Sequence, residues 1–183
     1  GDKASDADVR LFSVAGRSEI SGNHTDHNHG RVLAASISLD IISLAAMTEK
    51  AEIAIKSEGF PEDIIDLTDV ENVRDGEKYK ASAIIRGMCD GFKKNGYEIG
   101  GYYAYTTSNV LKGSGLSSSA AFEDMVGNML NYFYNDGKID NVEIAKIAQY
   151  SENVHFGKPC GLMDQIACAA GGFVAIDFAD TKN

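Results

Sequence analysis

The stretch Leu111-Lys112-Gly113-Ser114-Gly115-Leu116-Ser117-Ser118-Ser119-Ala120-Ala121 decides how the chain is interpreted. It is rich in glycine and serine, and it leads directly into an apolar helical pattern formed by Phe122, Met125, Val126, Met129, Leu130 and Phe133. Glycines let a backbone turn tightly and approach a ligand closely. The helix start adds unpaired N–H groups and the positive end of its dipole. These residues predict a phosphate-binding loop, and a flexible turn before an ordinary helix is the alternative.

The composition excludes several classes of protein. The chain has 183 residues, enough for one sizeable core, and its formal net charge of -10 argues against nucleic-acid binding, which needs a basic surface. No stretch resembles a signal peptide or a membrane span. The chain has three cysteines, Cys89, Cys160 and Cys168. Their number is odd, and no pair has the spacing of a zinc site. We therefore expect free thiols, a cytoplasmic protein, and neither a nucleic-acid nor a membrane partner.

A polar segment follows the predicted strand 11–15, which we expect to end at Gly16-Arg17. Its hydrogen-bonding side chains are Arg17, Glu19, Asn23, His24, Asp26, His27 and His29. Three interpretations stay open. Asn23, His24 and Asp26 are suited to a polyol, because each hydroxyl both donates and accepts. The three histidines with Asp26 are suited to a transition metal. A solvated loop is the third possibility.

The remaining pattern alternates strands with helices. We predict strands at 31–37, 41–47, 51–55, 64–67, 99–110 and 172–178, and helices at 77–95 and 142–153. Gly87 and Gly91 in the first helix indicate either close contact with a neighbour or simple tolerance of glycine. Asp164 follows a glycine-rich turn, where a carboxylate is either a helix cap or a functional group.

Three stretches together carry a family resemblance. Residues 16–27 resemble the opening motif of the galactokinases, and residues 113–121 resemble the phosphate loop of the GHMP kinases (galacto-, homoserine, mevalonate and phosphomevalonate kinases). Gly161-Leu162-Met163-Asp164-Gln165 resembles the galactokinase stretch that carries the catalytic aspartate. Their order and separations also fit, and the resemblance spans nearly the whole chain.

The resemblance implies a fold and a domain organisation. It implies an α+β fold, a mixed sheet backed by helices, in which residues 1–183 form a GHMP kinase N-terminal domain. The galactose-binding motif would lie at about residues 11–47 and the ATP phosphate loop at 111–121. Galactokinase chains are longer than this one, so the resemblance implies a C-terminal half as the missing partner. We therefore expect the isolated piece to be inactive.

The resemblance also implies roles for individual residues. Arg17 and Asp164 would be catalytic, and Asp164 would also face the sugar. The sugar would be bound by Asn23, His24, Asp26, Gly161 and Asp164. The ATP phosphates would be bound by Gly113, Ser114, Gly115, Leu116, Ser117, Ser118 and Ser119. Magnesium would be held by Ser119 and Glu152.

The implied function is transfer of phosphate from ATP to the anomeric hydroxyl of galactose, with Mg²⁺. One position departs from the family pattern: Asn23 stands where most galactokinases have a glutamate before the His-Thr-Asp unit. An amide cannot give a charge-assisted hydrogen bond. A GHMP kinase for another sugar, such as N-acetylgalactosamine, is therefore one alternative. A non-catalytic galactose and ATP sensor is a second, disfavoured by the intact serine loop and Asp164.

Overall fold

The computed structural model describes residues 9–22, 25, 29–111 and 113–179. Six strands are present: β1 (Arg10–Ser21), β2 (Arg31–Met47), β3 (Glu52–Ser57), β4 (Glu62–Asp66), β5 (Tyr102–Ser108) and β6 (Phe173–Asp177). The α-helices are α1 (Ala81–Lys94), α2 (Ser118–Tyr134), α3 (Asn141–Tyr150) and α4 (Met163–Ala170). A π-helical segment, Ser151–Phe156, continues directly from α3.

The strands form one mixed sheet in the order β1-β2-β5-β3-β4. The long strand β2 pairs with β1 on one edge, and its other edge pairs with β6 near its start and with β5 near its end. These pairings and β3–β4 are antiparallel, whereas β3 and β5 are parallel. A mixed sheet with helices confirms the predicted α+β class.

The helices cover one face of the sheet. Because side chains alternate between the two faces of a strand, burial alternates along the strand. In β2, Ser43 and Ala45 are buried on the helical face, while Leu44 between them is exposed. The core joins that face to α1 and α2, as the burial of Tyr102, Met88 and Met125 shows. The sheet therefore supports helices on one side and carries the site residues along β1 and the helix ends.

Strand β1 does not end at Gly16-Arg17, so that prediction was wrong. Pairing with β2 continues as far as Ser21, which lies opposite Leu33. The register shifts between Ala15 and Arg17, as at a β-bulge. A bulge bends a strand and redirects its side chains. Backbone pairing thus overrides the polar composition of this segment and places Arg17 in the sheet.

Other element boundaries also differ from the prediction. The strands predicted at 31–37 and 41–47 are one strand, β2, because β1 pairs with it on both sides of the join, at Ser36 and at Asp40. Helix α1 begins at Ala81 rather than at Glu77, whose carboxylate instead binds Arg86 at 2.8 Å. The helix predicted at 142–153 becomes π-helical after Tyr150. Such π-segments are frequent at functional sites.

Gly87 explains how α1 approaches the π-helical segment. A Cβ atom at this position would lie 2.4 Å from Ser151 Oγ and 2.9 Å from Ser151 Cα. This confirms the interpretation of Gly87 as a close packing position. Gly91 is a second close packing position, here against α3, because a Cβ there would lie 2.6 Å from Ile147 Cγ2.

Cys89, Cys160 and Cys168 are all free, as predicted. Burial raises the pKa of the Cys89 thiol to about 12, so this thiol is unreactive at neutral pH. Within the described ranges, the helices are too short or too polar to cross a membrane.

Candidate active site

The glycine-serine loop ends in an open helix start. Gly113, Gly115 and Ser117 have φ values of 78°, 76° and 60°, in the left-handed region that favours glycine. The first α2 hydrogen bond runs from the Ala121 N–H to the Ser117 carbonyl, and no side chain caps the helix. The N–H groups of the first turn therefore stay available, and together with the helix dipole they suit an anion.

Strand β1 holds this loop in place through Arg17. Its backbone N–H donates to the Leu116 carbonyl at 3.2 Å, and its Nη1 donates to the Gly115 carbonyl at 2.8 Å. The preceding residue must be small, because a Cβ atom on Gly16 would lie 2.8 Å from the Leu116 oxygen. The first and second motifs of the sequence are thus in direct contact.

Asp164 joins the third motif to the other two. Its Oδ1 accepts from Arg17 Nε at 2.8 Å and from Nη2 at 2.7 Å, and its Oδ2 accepts from the Ser117 hydroxyl at 2.6 Å. The side chain of Arg17 is 6% exposed and that of Asp164 is 30% exposed. The carboxylate is therefore anchored at both oxygens and still partly open to solvent.

Asp164 is not a helix cap, which answers the alternative left open by the sequence. It is the second residue of α4, and the N-cap residue is Leu162. The Asp164 side chain contacts Arg17 of β1 and Ser117 of the glycine-serine loop, rather than the N–H groups of its own helix. A partly open carboxylate beside an anion loop can act as a proton acceptor or orient a hydroxyl.

Ser119 and Glu152 form a second oxygen pair at the start of α2. The Ser119 hydroxyl donates to Glu152 Oε1 at 3.1 Å, and Glu152 is buried in the π-helical segment. Mg²⁺ prefers oxygen ligands at about 2.1 Å in octahedral geometry, which puts adjacent ligands about 3 Å apart. The residues therefore fit a magnesium ion. No cluster of three or more histidine, cysteine or acidic side chains suited to a metal occurs in the part of the chain that is described.

Glu152 is surrounded by further polar groups that the sequence analysis missed. Gln165 Nε2 donates to Glu152 Oε2 at 2.8 Å and to Glu123 Oε2 at 3.1 Å. Lys158 Nζ donates to Glu152 Oε1 at 3.2 Å. Burial, aided by the nearby charge of Glu152, raises the pKa of Glu123 well above its ordinary value. Glu123 is therefore less readily ionised than an exposed glutamate.

A sequence signal for part of this network was available. The acidic pair Glu123-Asp124 interrupts the apolar run of α2, and both residues are fully buried. Acidic residues are rarely buried without a partner, so their position in a core helix marks an unusual environment. Gln165 and Lys158 carried no comparable signal, because their contacts with Glu152 arise only in the folded chain.

Only some of the predicted sugar-binding residues lie among the described residues. Asn23, His24 and Asp26 lie outside the described residues, as does His27, so their roles stay predictions. The neighbouring His29 Nδ1 lies 3.2 Å from the Phe178 carbonyl oxygen. Gly161 lies half-buried just before α4, within three residues of Asp164.

A cavity of about 610 Å³ adjoins the start of α2. Ser118, Ser119 and Phe122 line it from the helix. Aromatic side chains line other parts of it: Phe60, Tyr79 and Phe156. Tyr79 and Phe156 contact each other edge to face with their ring centroids 5.7 Å apart. The cavity offers a large apolar and aromatic surface next to the anion loop.

Comparison with known proteins identifies the class. The family model described as the GHMP kinases N terminal domain matches residues 81–172, and the galactokinase galactose-binding signature matches residues 2–47. The chain belongs to the GHMP kinase family and corresponds to its N-terminal domain.

Within that family, the similar relatives are galactokinases. The chain is 36% identical over 167 residues to the galactokinase of Lactococcus lactis subsp. cremoris, covering 89% of this chain and 41% of that protein. It is 33% identical to the galactokinase of Thermococcus kodakarensis, covering 95% of this chain and 47% of that protein. The chain thus spans less than half the length of these relatives.

Solved structures agree with this assignment. A crystal structure of Lactococcus lactis galactokinase complexed with galactose superimposes with a TM-score of 0.87 at 33% identity, covering 95% of this chain and 46% of that one. The mevalonate kinase of Methanococcus jannaschii superimposes with a TM-score of 0.78 at 16% identity, covering 96% of this chain and 56% of that one. The second similarity concerns the fold alone.

Proposed function

We propose that the complete protein is a galactokinase, which transfers the γ-phosphoryl group of ATP to the anomeric hydroxyl of galactose. One observation carries the proposal: Arg17 and Ser117 hold the Asp164 carboxylate directly beside the open phosphate loop. This contact brings an acceptor for a hydroxyl proton next to donors for a phosphate. The galactokinase relatives and the matching galactose-binding signature support the choice of sugar.

The nucleotide would bind along the loop and the start of α2. Backbone N–H groups between Gly113 and Ser119 hold its phosphates, because the first turn of α2 has no internal acceptors for them. The adenosine part occupies the adjoining cavity, whose aromatic lining suits a flat base. Ser119 and Glu152 would hold Mg²⁺, which would supply charge neutralisation of the phosphate oxygens.

Asp164 would accept the proton of the attacking hydroxyl. The O–H bond of the sugar breaks as its oxygen bonds to the γ-phosphorus, and the bond from that phosphorus to the β–γ bridging oxygen breaks, so that ADP leaves. The proton goes to Asp164 Oδ2, which accepts one hydrogen bond from the described residues, that of Ser117, and can accept a second. Arg17 holds Oδ1 and fixes the carboxylate plane. Phosphoryl transfer depends mainly on positioning and on charge stabilisation, and these contacts supply the positioning.

The sugar would lie between Asp164 and residues of the segment that follows β1 in the sequence. We propose that Asn23, His24, Asp26 and Gly161 bind its hydroxyls, as the resemblance implies. A C-terminal half would close the site in the complete protein. Asn23 keeps another sugar, such as N-acetylgalactosamine, as the second candidate. The cytoplasmic location stays a prediction from the sequence.

A coupled ADP-release assay on the full-length protein tests the proposal. Galactose, N-acetylgalactosamine, glucose and arabinose are compared at equal concentrations, and galactose is expected to give the highest kcat/KM. A preference for N-acetylgalactosamine would establish the second candidate. Binding of galactose and ATP without ADP release would instead identify a sensor and contradict the assignment as an enzyme.

A further inference from the structure

We propose that Lys158 is a phosphate-contacting residue of this site, whose ammonium group exchanges Glu152 for a phosphate oxygen when metal and nucleotide bind. The inference rests on the proposed function and adds a residue to it. The observation behind it is that Lys158 Nζ and the Ser119 hydroxyl donate to the same atom, Glu152 Oε1.

Lys158 is held in place at its backbone, and its side chain is exposed to solvent. The residue follows Gly157, whose φ of 84° ends the π-helical segment, and its N–H donates to the Glu152 carbonyl at 3.1 Å. Its side chain is 57% exposed, whereas that of Glu152 is 2% exposed. The ammonium group can therefore move while the Glu152 carboxylate stays in place.

Metal binding and the Lys158 contact compete for one oxygen. A magnesium ion held by Ser119 and Glu152 needs lone pairs on Ser119 Oγ and on Glu152 Oε1. Both Lys158 and the Ser119 proton point at Oε1, and two cations cannot share that oxygen without repulsion. Glu152 keeps Gln165 on Oε2 at 2.8 Å, so its carboxylate stays oriented after Lys158 leaves.

The released ammonium group would move toward the phosphate loop. Ser119, at the start of α2, donates to the same Glu152 oxygen as Lys158, so the ammonium group lies beside the end of the phosphate loop. Arg17 already donates to Asp164 and to Gly115 through Nε, Nη1 and Nη2. In a chain with a net charge of -10, local cations must stabilise the phosphates. Among the described residues, Lys158 is the cation beside the phosphate loop whose ion pair with Glu152 is lost when the metal binds.

The proposal predicts two opposite effects of one substitution in the full-length protein. Lys158→Met removes the competing cation and should tighten metal binding several-fold. It also removes a charge-assisted phosphate contact and should lower kcat by about 10- to 100-fold. Lys158→Arg keeps the charge and should retain more activity than Lys158→Met. The control is Lys138→Met, which removes an exposed lysine paired with Asp136 in a turn after α2.

Two binding measurements test the proposed role of Lys158. Binding of Mn²⁺, followed by the electron paramagnetic resonance signal of the free ion, should be tighter for Lys158→Met than for wild type and for Lys138→Met. In Mg²⁺ buffer, Lys158→Met should bind ATP more weakly and adenosine equally well. Unchanged Mn²⁺ binding, equal loss of ATP and adenosine affinity, or an unchanged kcat would each overturn the proposal. If wild type turns over no sugar, the proposed function fails, while the Mn²⁺ and ATP measurements still judge Lys158.

Discussion

Ser117 and Asp164 are 47 residues apart in the chain, yet the Ser117 hydroxyl donates to Asp164 Oδ2 at 2.6 Å. Ser117 adopts φ 60° and ψ 49°, a left-handed conformation that non-glycine residues rarely adopt. Strain of this kind persists where the surrounding structure enforces it, and it is frequent at functional sites. The loop that would hold phosphate and the carboxylate that would meet the sugar are thus directly coupled.

This coupling is tested by replacing Ser117 with glycine and with alanine in the full-length protein. Both variants lose the hydroxyl and should lower kcat by a similar factor, about 10-fold for one lost hydrogen bond to a charged group. Only alanine must also bear the left-handed backbone, at a cost of roughly 1 kcal/mol. Steady-state kinetics and thermal denaturation separate the two effects. A glycine variant with normal kcat would show that the hydroxyl does not position Asp164.

Asp164→Asn should lower kcat at least about 100-fold, because general-base assistance typically contributes 10²–10⁴-fold. The amide has nearly the same size, so the fold should survive. Circular dichroism checks the fold, and the coupled assay measures kcat. Near-normal turnover in a folded variant would exclude Asp164 as the proton acceptor.

Asp124 should make stability fall as the pH rises. Burial alone raises the pKa of this carboxyl well above its ordinary value, and neither oxygen has a hydrogen-bond partner among the described residues. The folded chain therefore keeps the proton that the unfolded chain loses above about pH 4. From there up to the folded pKa, stability falls by up to about 1.4 kcal/mol per pH unit.

Asp124→Asn removes this pH dependence. The variant should match wild type near pH 4 and exceed it in melting temperature at pH 8. Glu49→Gln, which changes an exposed carboxylate, serves as the control and should leave the pH profile unchanged. Equal melting temperatures of wild type and Asp124→Asn at pH 8 would mean that the buried carboxyl has an unseen partner.

Gly87→Ala should push α1 away from the π-helical segment that carries Glu152. The added Cβ would overlap Ser151, including its Cα atom, and overpacking of this kind costs typically about 1–3 kcal/mol. Because the overlap involves the Ser151 backbone, we expect a cost at the upper end of this range, above the gain of about 1 kcal/mol in helix propensity. Denaturant unfolding should show a loss of stability, and Mn²⁺ binding should weaken.

Gly76→Ala is the matched control for that experiment. It lies in a short helical turn before α1, and a Cβ atom there would meet nothing within 4 Å. It should leave both stability and Mn²⁺ binding close to wild type. Comparable losses in the two variants would mean that the contact of Gly87 with Ser151 is not what supports Glu152.

Local chemistry explains what could be predicted from the sequence. The glycines of residues 113–119 allow the backbone to make a tight turn, and the apolar period after them indicates a helix. Both features are properties of neighbouring residues, and both are observed. The contact between Arg17 and Asp164 also followed from family resemblance, since both residues were expected to serve the same reaction.

The predicted element boundaries were wrong where contacts between segments distant in sequence determine the backbone conformation. β1 runs through the polar residues 16–21 because β2 offers it hydrogen-bond partners, and no local propensity contains that information. The π-helical segment Ser151–Phe156 packs against α1 at Gly87. Neither partner is a neighbour in sequence.

By itself, the sequence determined the family, and it predicted the phosphate loop and Asp164 as the proton acceptor, because each prediction rests on a short run of residues with restricted chemistry. Only the tertiary structure decided that Ser117 binds Asp164 and that Lys158 and Gln165 converge on Glu152. Such contacts depend on distances of about 3 Å between side chains from separate segments. Those distances are set by the packing of α1, α2 and α4 around the sheet.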